Sequence, residues 1–154
     1  GCNDMALYYV PLGAQSVTND ASQDLWVLAA PSDSAVKLHY AKMSSTVTSD
    51  ERLLLSLVQR STAGSAGGSA LTVVALDGTS AAAGATFTPL VTTQGTLSKT
   101  FLTDYWSQLA PWEFLPTPAM QIIIPPSGFL ALALATAVAS TRSMSGFLVF
   151  EELG

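Results

Sequence analysis

Apolar and polar residues alternate with a period of two along much of this chain, as strands with one buried face do. Over residues 35–43, Val36, Leu38 and Tyr40 fall on one side and Lys37, His39 and Ala41 on the other, which predicts a half-buried strand. Residues 24–30 (DLWVLAA) form a shorter run stopped by Pro31, a residue that cannot donate to a ladder. Residues 71–76, 87–93, 96–105, 112–115, 120–124 and 144–152 read as further strands. Asp77-Gly78 marks a turn, Ser61, Gly64, Gly67 and Gly68 belong to a flexible connection over 61–70, and residues 79–85 form a small-residue loop. Gln94-Gly95 is expected to close a hairpin between 87–93 and 96–105. Pro111, Pro116, Pro118, Pro125 and Pro126 break the chain between later strands.

Two stretches suit more than one element. Residues 48–60 contain Leu53, Leu54, Leu55, Leu57 and Val58, a run that fits a helix or a buried strand, and Ser49 with Arg52 makes no capping box. Its place between a strand and a Gly/Ser-rich connection favours the strand. Residues 129–138 are rich in Ala and Leu, good helix formers, yet Leu130, Leu132, Leu134, Thr136 and Val138 share one side while Phe129, Ala131, Ala133, Ala135 and Ala137 share the other. The strand this predicts has one bulky face and one smooth face, the latter suited either to another subunit or to a tightly packed interior.

Many short strands with turn residues between them predict an all-β fold, an antiparallel β-sandwich of the single jelly-roll kind. Residues 1–23 read as an extended N-terminal arm with a short strand over 6–10, and residues 24–154 as the sandwich domain. A chain of 154 residues is the length of one domain. The strand over 147–153 is expected to lie inside a sheet, because its apolar alternation would be an aggregation hazard at a bare edge.

Composition changes this picture in one respect. Charged residues make up 11% of the chain, against about 25% in ordinary globular domains, so much of the exterior is expected to face other protein. Hydrophobic residues at 49% exclude an intrinsically disordered chain. A net charge of -5 gives no footing for nucleic acid. The longest apolar run, 128–139, is far short of the roughly 20 residues that span a bilayer, so no membrane partner is expected, and the start shows no basic-then-apolar leader. Cys2, the single cysteine, excludes an internal disulfide and reads as an incidental free thiol.

No catalytic, cofactor-binding or metal-binding residues are expected. One His and one Cys cannot build a zinc site of the usual kind, and His39 sits mid-strand without a nucleophile elbow. The carboxylate pairs Asp50-Glu51 and Glu151-Glu152 point to opposite faces of a strand and read as solvated ends of elements. The candidate interface residues are aromatic: Tyr105, Trp106, Trp112 and Phe114 around Pro111, with Tyr8 and Tyr9 in the arm. The cluster around Pro111 fits a core, a subunit interface or a platform that stacks on sugars.

The segments LWVLAAP (25–31), VKLHYAKM (36–43), the strand running into QRSTAGSAGG (53–68), PTPAM (116–120), IPPSGFL (124–130) and SMSGFLVFEELG (143–154) occur in an order that resembles small virion-associated proteins of tailed bacteriophages. The likeness covers about residues 16–154 and carries no catalytic signature. It implies a single jelly roll and a trimeric decoration, or cement, protein made in the host cytoplasm. Such a protein is fixed to the outside of a phage head and braces the shell, with its own copies and the major capsid protein or another virion protein as partners. The other function open at this stage is a jelly-roll binding module of a head or tail fibre that recognises a host glycan or receptor through Trp106 and Trp112.

Overall fold

The computed structural model describes residues 6–20, 22–65 and 67–154; Cys2 lies outside them. Among the described residues the chain forms strands β1 (Leu7–Pro11), β2 (Gln15–Val17), β3 (Gln23–Ala29), β4 (Ala35–Ser45), β5 (Arg52–Arg60), β6 (Val74–Ala75), β7 (Thr86–Val91), β8 (Leu97–Ser107), β9 (Trp112–Phe114), β10 (Ile122–Ile124), β11 (Phe129–Leu134) and β12 (Arg142–Leu153), with a 3₁₀ turn at Pro118–Met120. They make two antiparallel sheets packed as a sandwich. The first has the order β10-β4-β12-β1-β6, with β2 also on β12 and β9 also on β4, and the second the order β7-β3-β11-β5-β8.

Alternation decides what each strand buries. Leu53, Leu55 and Leu57 of β5 and Leu130, Leu132 and Leu134 of β11 point between the sheets, where they meet Trp26, Leu28, Leu38, Met43, Leu148 and Phe150. The strand choice for 48–60 and the one-sided leucines of 129–138 are both observed, though β11 ends at Leu134. The smooth face of β11 turns away from the opposite sheet. Ala131 sits in direct register between Val27 and Val58, and these β-branched neighbours shield it without any second sheet.

The N-terminal segment is not a separable arm. β1 pairs along β12 from Leu7 to Pro11, β2 pairs with Arg142, Ser143 and Met144, and Tyr8, Val10, Leu12 and Val17 are core residues. The segment has the same alternation as the later strands, so burying Tyr8 and Val10 binds it into the sandwich. The C-terminal strand β12 lies inside its sheet, between β4 and β1.

The expected hairpin at Gln94-Gly95 does not form. β7 and β8 occupy opposite edges of the five-stranded sheet, so the connection between them crosses its outer face. Side-chain chemistry pins this crossover. Gln94 donates to the Asp24 carboxylate at 3.1 Å, Arg60 donates to the Gly95 carbonyl at 3.0 Å, and Thr96 N–H donates to Thr62 Oγ1 at 2.8 Å. Gly95 is required here because a Cβ would overlap the Thr62 carbonyl. Ser65 and residues 67–71 lie beside β7, with Ser65 bridged antiparallel to Thr93 and Leu71 to Phe87, so only Val74–Ala75 of the expected strand 71–76 joins the other sheet.

Candidate interaction surface

The outer face of the seven-stranded sheet is built from three cross-strand rows. The first runs Ile123, Lys37, Glu151, Leu7; the second Tyr40, Val149, Tyr9, Val74; the third Glu113, Lys42, Phe147, Pro11. Directly opposed residues of an antiparallel pair share a face, so the register alone places these side chains on the surface away from the core. The Phe147 ring lies between two tyrosines, 5.2 Å from Tyr9 and 5.0 Å from Tyr40, the latter a stacked pair. Val149 fills the gap between Tyr9 and Tyr40, and Val74, 45% exposed, extends the row to the sheet edge. Leu115, Met120 and Ile123 add exposed apolar side chains along the β9 and β10 edge.

Tyr40 reaches this face through a bulge. Val149 pairs with Tyr40 and Phe150 with Leu38, which leaves His39 as an extra residue in β4. An extra residue reverses the alternation beyond it. Ala41 and Met43 therefore enter the core after Val36 and Leu38, and Tyr40, expected with the inward set, turns outward. Its hydroxyl donates to Glu113 at 3.0 Å, and burial together with the Glu113 carboxylate raises the Tyr40 pKa.

The bulge also aims His39 at Glu151. His39 Nε2 lies 2.8 Å from Glu151 Oε1, and Gln121 Nε2 lies 3.0 Å from His39 Nδ1. With the Gln121 amide donating, the neutral ring carries its proton on Nε2 and gives that hydrogen bond to the carboxylate. Glu151 is 4% exposed, so it is not the solvated strand end expected for it. Burying a carboxylate demands such a partner. Glu152 also has partners, accepting from Gly84 N–H at 2.7 Å. Glu51 accepts from Gln108 Nε2 at 2.7 Å and from the Arg142 guanidinium, which ties β5 to β12. Burial alone would raise the Glu51 pKa, but the Gln108 and Arg142 hydrogen bonds and the Arg142 charge outweigh it and lower the value.

The six aromatic candidates do not form one patch. Trp106 is buried with its indole N–H donating to the Ala110 carbonyl, Trp112 is 9% exposed, and Phe114 packs against the same core. Tyr8 is buried, stacks on Phe150 at 5.5 Å and donates its hydroxyl to Ala81 O at 3.0 Å. Tyr105, 67% exposed, stands opposite Leu54 on the outer side of the five-stranded sheet, whereas Tyr9 is central to the outer face of the other. Sequence reasoning missed Tyr40, Phe147 and Val149. The signal for the last two is that β12 is apolar on both faces, Phe147 and Val149 alternating with Leu148 and Phe150.

No protein-family model, curated protein or solved structure matches this chain.

Proposed function

We propose that this chain is a structural protein of a virion shell, a decoration subunit that seats on the outside of a phage head through the open face of its seven-stranded sheet. The observation that carries the proposal is the aromatic row Tyr9, Phe147 and Tyr40, lying half-buried with Val149 on the outer face of the seven-stranded sheet. Strands about 4.8 Å apart and same-face residues about 7 Å apart along each strand give the three rows a footprint of roughly 300 Å². That is the core of an interface, since a stable one buries about 800 Å² per partner; Leu115 and Met120 supply apolar surface next to it. The low charge of the chain supports a surface meant to meet protein, and the order of its segments supports a phage virion as the setting.

The glycan-binding alternative loses its residues, because Trp106 and Trp112 are core side chains and offer no stacking platform. Binding of the purified chain to shells of the major capsid protein from the same virus tests the proposal. Tyr9→Ser with Tyr40→Ser is expected to weaken binding by roughly thirty-fold or more, the scale of a hot-spot loss, while leaving the circular dichroism spectrum intact. Unchanged binding by that folded variant would refute it.

A further inference from the structure

The four sheet edges of this sandwich are not treated alike. The β7 edge is covered by Ser65 and residues 67–71, through Ser65 and Thr93, Gly68 N–H to the Pro89 carbonyl at 2.8 Å and Leu71 N–H to the Phe87 carbonyl at 2.9 Å. In the seven-stranded sheet, β6 has two residues, and β9 and β10 have three each in a stretch interrupted by Pro111, Pro116, Pro118 and Pro125. Short strands, prolines and covering segments are the devices that keep an edge from pairing with another chain. The edge strand β8 is the long one: it has eleven residues, no proline and mostly exposed side chains on both faces, and it is interrupted only by two register shifts against β5, at Leu57/Val58 and at Gln59/Arg60.

We infer that β8 pairs with β8 of a second copy, antiparallel about a two-fold axis passing between Phe101 and Leu102, so that the five-stranded sheet continues from one subunit into the next. The six central residues of the strand, Lys99 to Asp104, are complementary to themselves in this register. Lys99 meets Asp104 of the partner subunit, Thr100 meets Thr103 of the partner subunit, and Phe101 meets Leu102 of the partner subunit, each contact occurring twice. Opposite charges, Thr pairs and apolar pairs are the favourable cross-strand combinations, and an isologous contact repeats each of them by symmetry.

Over Lys99 to Asp104 the faces agree as well; beyond Lys99 the second register shift returns Leu97 to the outer side, so the paired segment ends there. Asp104 and Leu102 stand opposite Leu55 and Leu57, on the side of the core, and without irregularity Lys99 would fall on the other side. The register shift between Leu57 and Val58 makes Phe101 an extra residue, so that Thr100 joins Val58 on the outer side and Lys99 returns to the side of Asp104. A break that would spoil an ordinary edge here brings the two charges onto one face. Asp104 Oδ1 accepts from Tyr105 N–H at 2.8 Å, so in the dimer its other oxygen would receive the ammonium. Lys99 Nζ rests 5.8 Å from the Phe101 ring centroid, at the axis.

This contact goes beyond the shell-binding reading and does not depend on it: β8 belongs to the five-stranded sheet and the aromatic face to the other. Sedimentation of the full chain over a concentration series is the test. The chain is expected to dimerise with a dissociation constant roughly micromolar or weaker, as suits a small interface. Lys99→Asp and Asp104→Lys, both at exposed positions, are each expected to weaken the dimer by roughly ten-fold, and the double swap to restore it to within about three-fold. Circular dichroism confirms folding of each variant, and either single substitution serves if the other fails. A monomer at all concentrations, a dimer or trimer indifferent to both substitutions, or a double swap that restores nothing would overturn the inference.

Discussion

Arg60 lays its guanidinium edge against the carboxylate of Asp24, Nε 2.8 Å from Oδ2 and Nη2 2.9 Å from Oδ1, where both side chains are sealed from solvent. The pair joins β3 to β5 across the outer side of the five-stranded sheet and, through Gln94 and the Gly95 carbonyl, anchors the crossover from β7 to β8. Burial raises the Asp24 pKa in spite of the opposing Arg60 hydrogen bonds and charge. Removing one partner of a buried ion pair strands the other, at a cost of about 3–5 kcal/mol, whereas an apolar replacement of both is often neutral. Arg60→Ala is therefore expected to lose several kcal/mol in urea unfolding, and Asp24→Leu with Arg60→Met to lose much less than the sum of the single changes.

Glu51 sets an acid limit on stability. Its folded-state pKa lies below the ordinary value of 4.5, so its contribution is complete above that value and is lost as pH falls through the lowered one. Asp24 acts in the reverse sense: with its folded-state value raised, stability declines as pH rises from 3.8 to that value. The difference in unfolding free energy between the native chain and Glu51→Gln isolates the Glu51 contribution: about 1 kcal/mol at neutral pH, it should shrink as pH falls towards 3.

Removal of residues 1–17 tests the placement of the N-terminal strands. Tyr8, Val10, Leu12 and Val17 are core side chains, each contributing roughly 1.5–3 kcal/mol by burial, and their joint loss exceeds the stability of an ordinary domain at the lower end of about 5–15 kcal/mol. The truncated chain should show no cooperative thermal transition. A truncated chain that unfolds cooperatively near the full-length midpoint would show that these strands are dispensable.

Neighbouring aromatics separate core from surface. Trp106→Ala should cost about 3–5 kcal/mol, and Tyr105→Ala, one residue away but exposed, no more than about 0.5 kcal/mol; guanidinium unfolding followed by fluorescence of the remaining tryptophans distinguishes them.

Much of the sandwich is legible in the chain, because period-two alternation is local. β4, β5, β11 and β12 are visible in the spacing of Leu, Val and Ala, and β12 is apolar enough to require a place inside a sheet. What alternation does not contain is any event that depends on a distant residue. The bulge at His39 is created opposite Val149 and Phe150, over a hundred positions later, and it alone decides that Tyr40 faces outward. The crossover at Gln94-Gly95 imitates a hairpin turn because its partners, Asp24, Arg60 and Thr62, are brought to it only by the fold. Glu151 looks like a solvated acid beside Glu152 until His39 is placed within 2.8 Å of it. The aromatic candidates followed residue type, which marks both cores and interfaces, so Trp106, Trp112 and Tyr8 were drawn to the same group as Tyr9.

The central claim is that the open aromatic face of the seven-stranded sheet meets another protein in a shell. A reconstruction of the native particle tests it most directly. The account predicts this chain at a repeated position on the outer surface, with Tyr9, Tyr40, Phe147 and Val149 within van der Waals contact of a neighbouring shell subunit. A chain seated on the shell by any other surface, with those four side chains open to solvent, would contradict it.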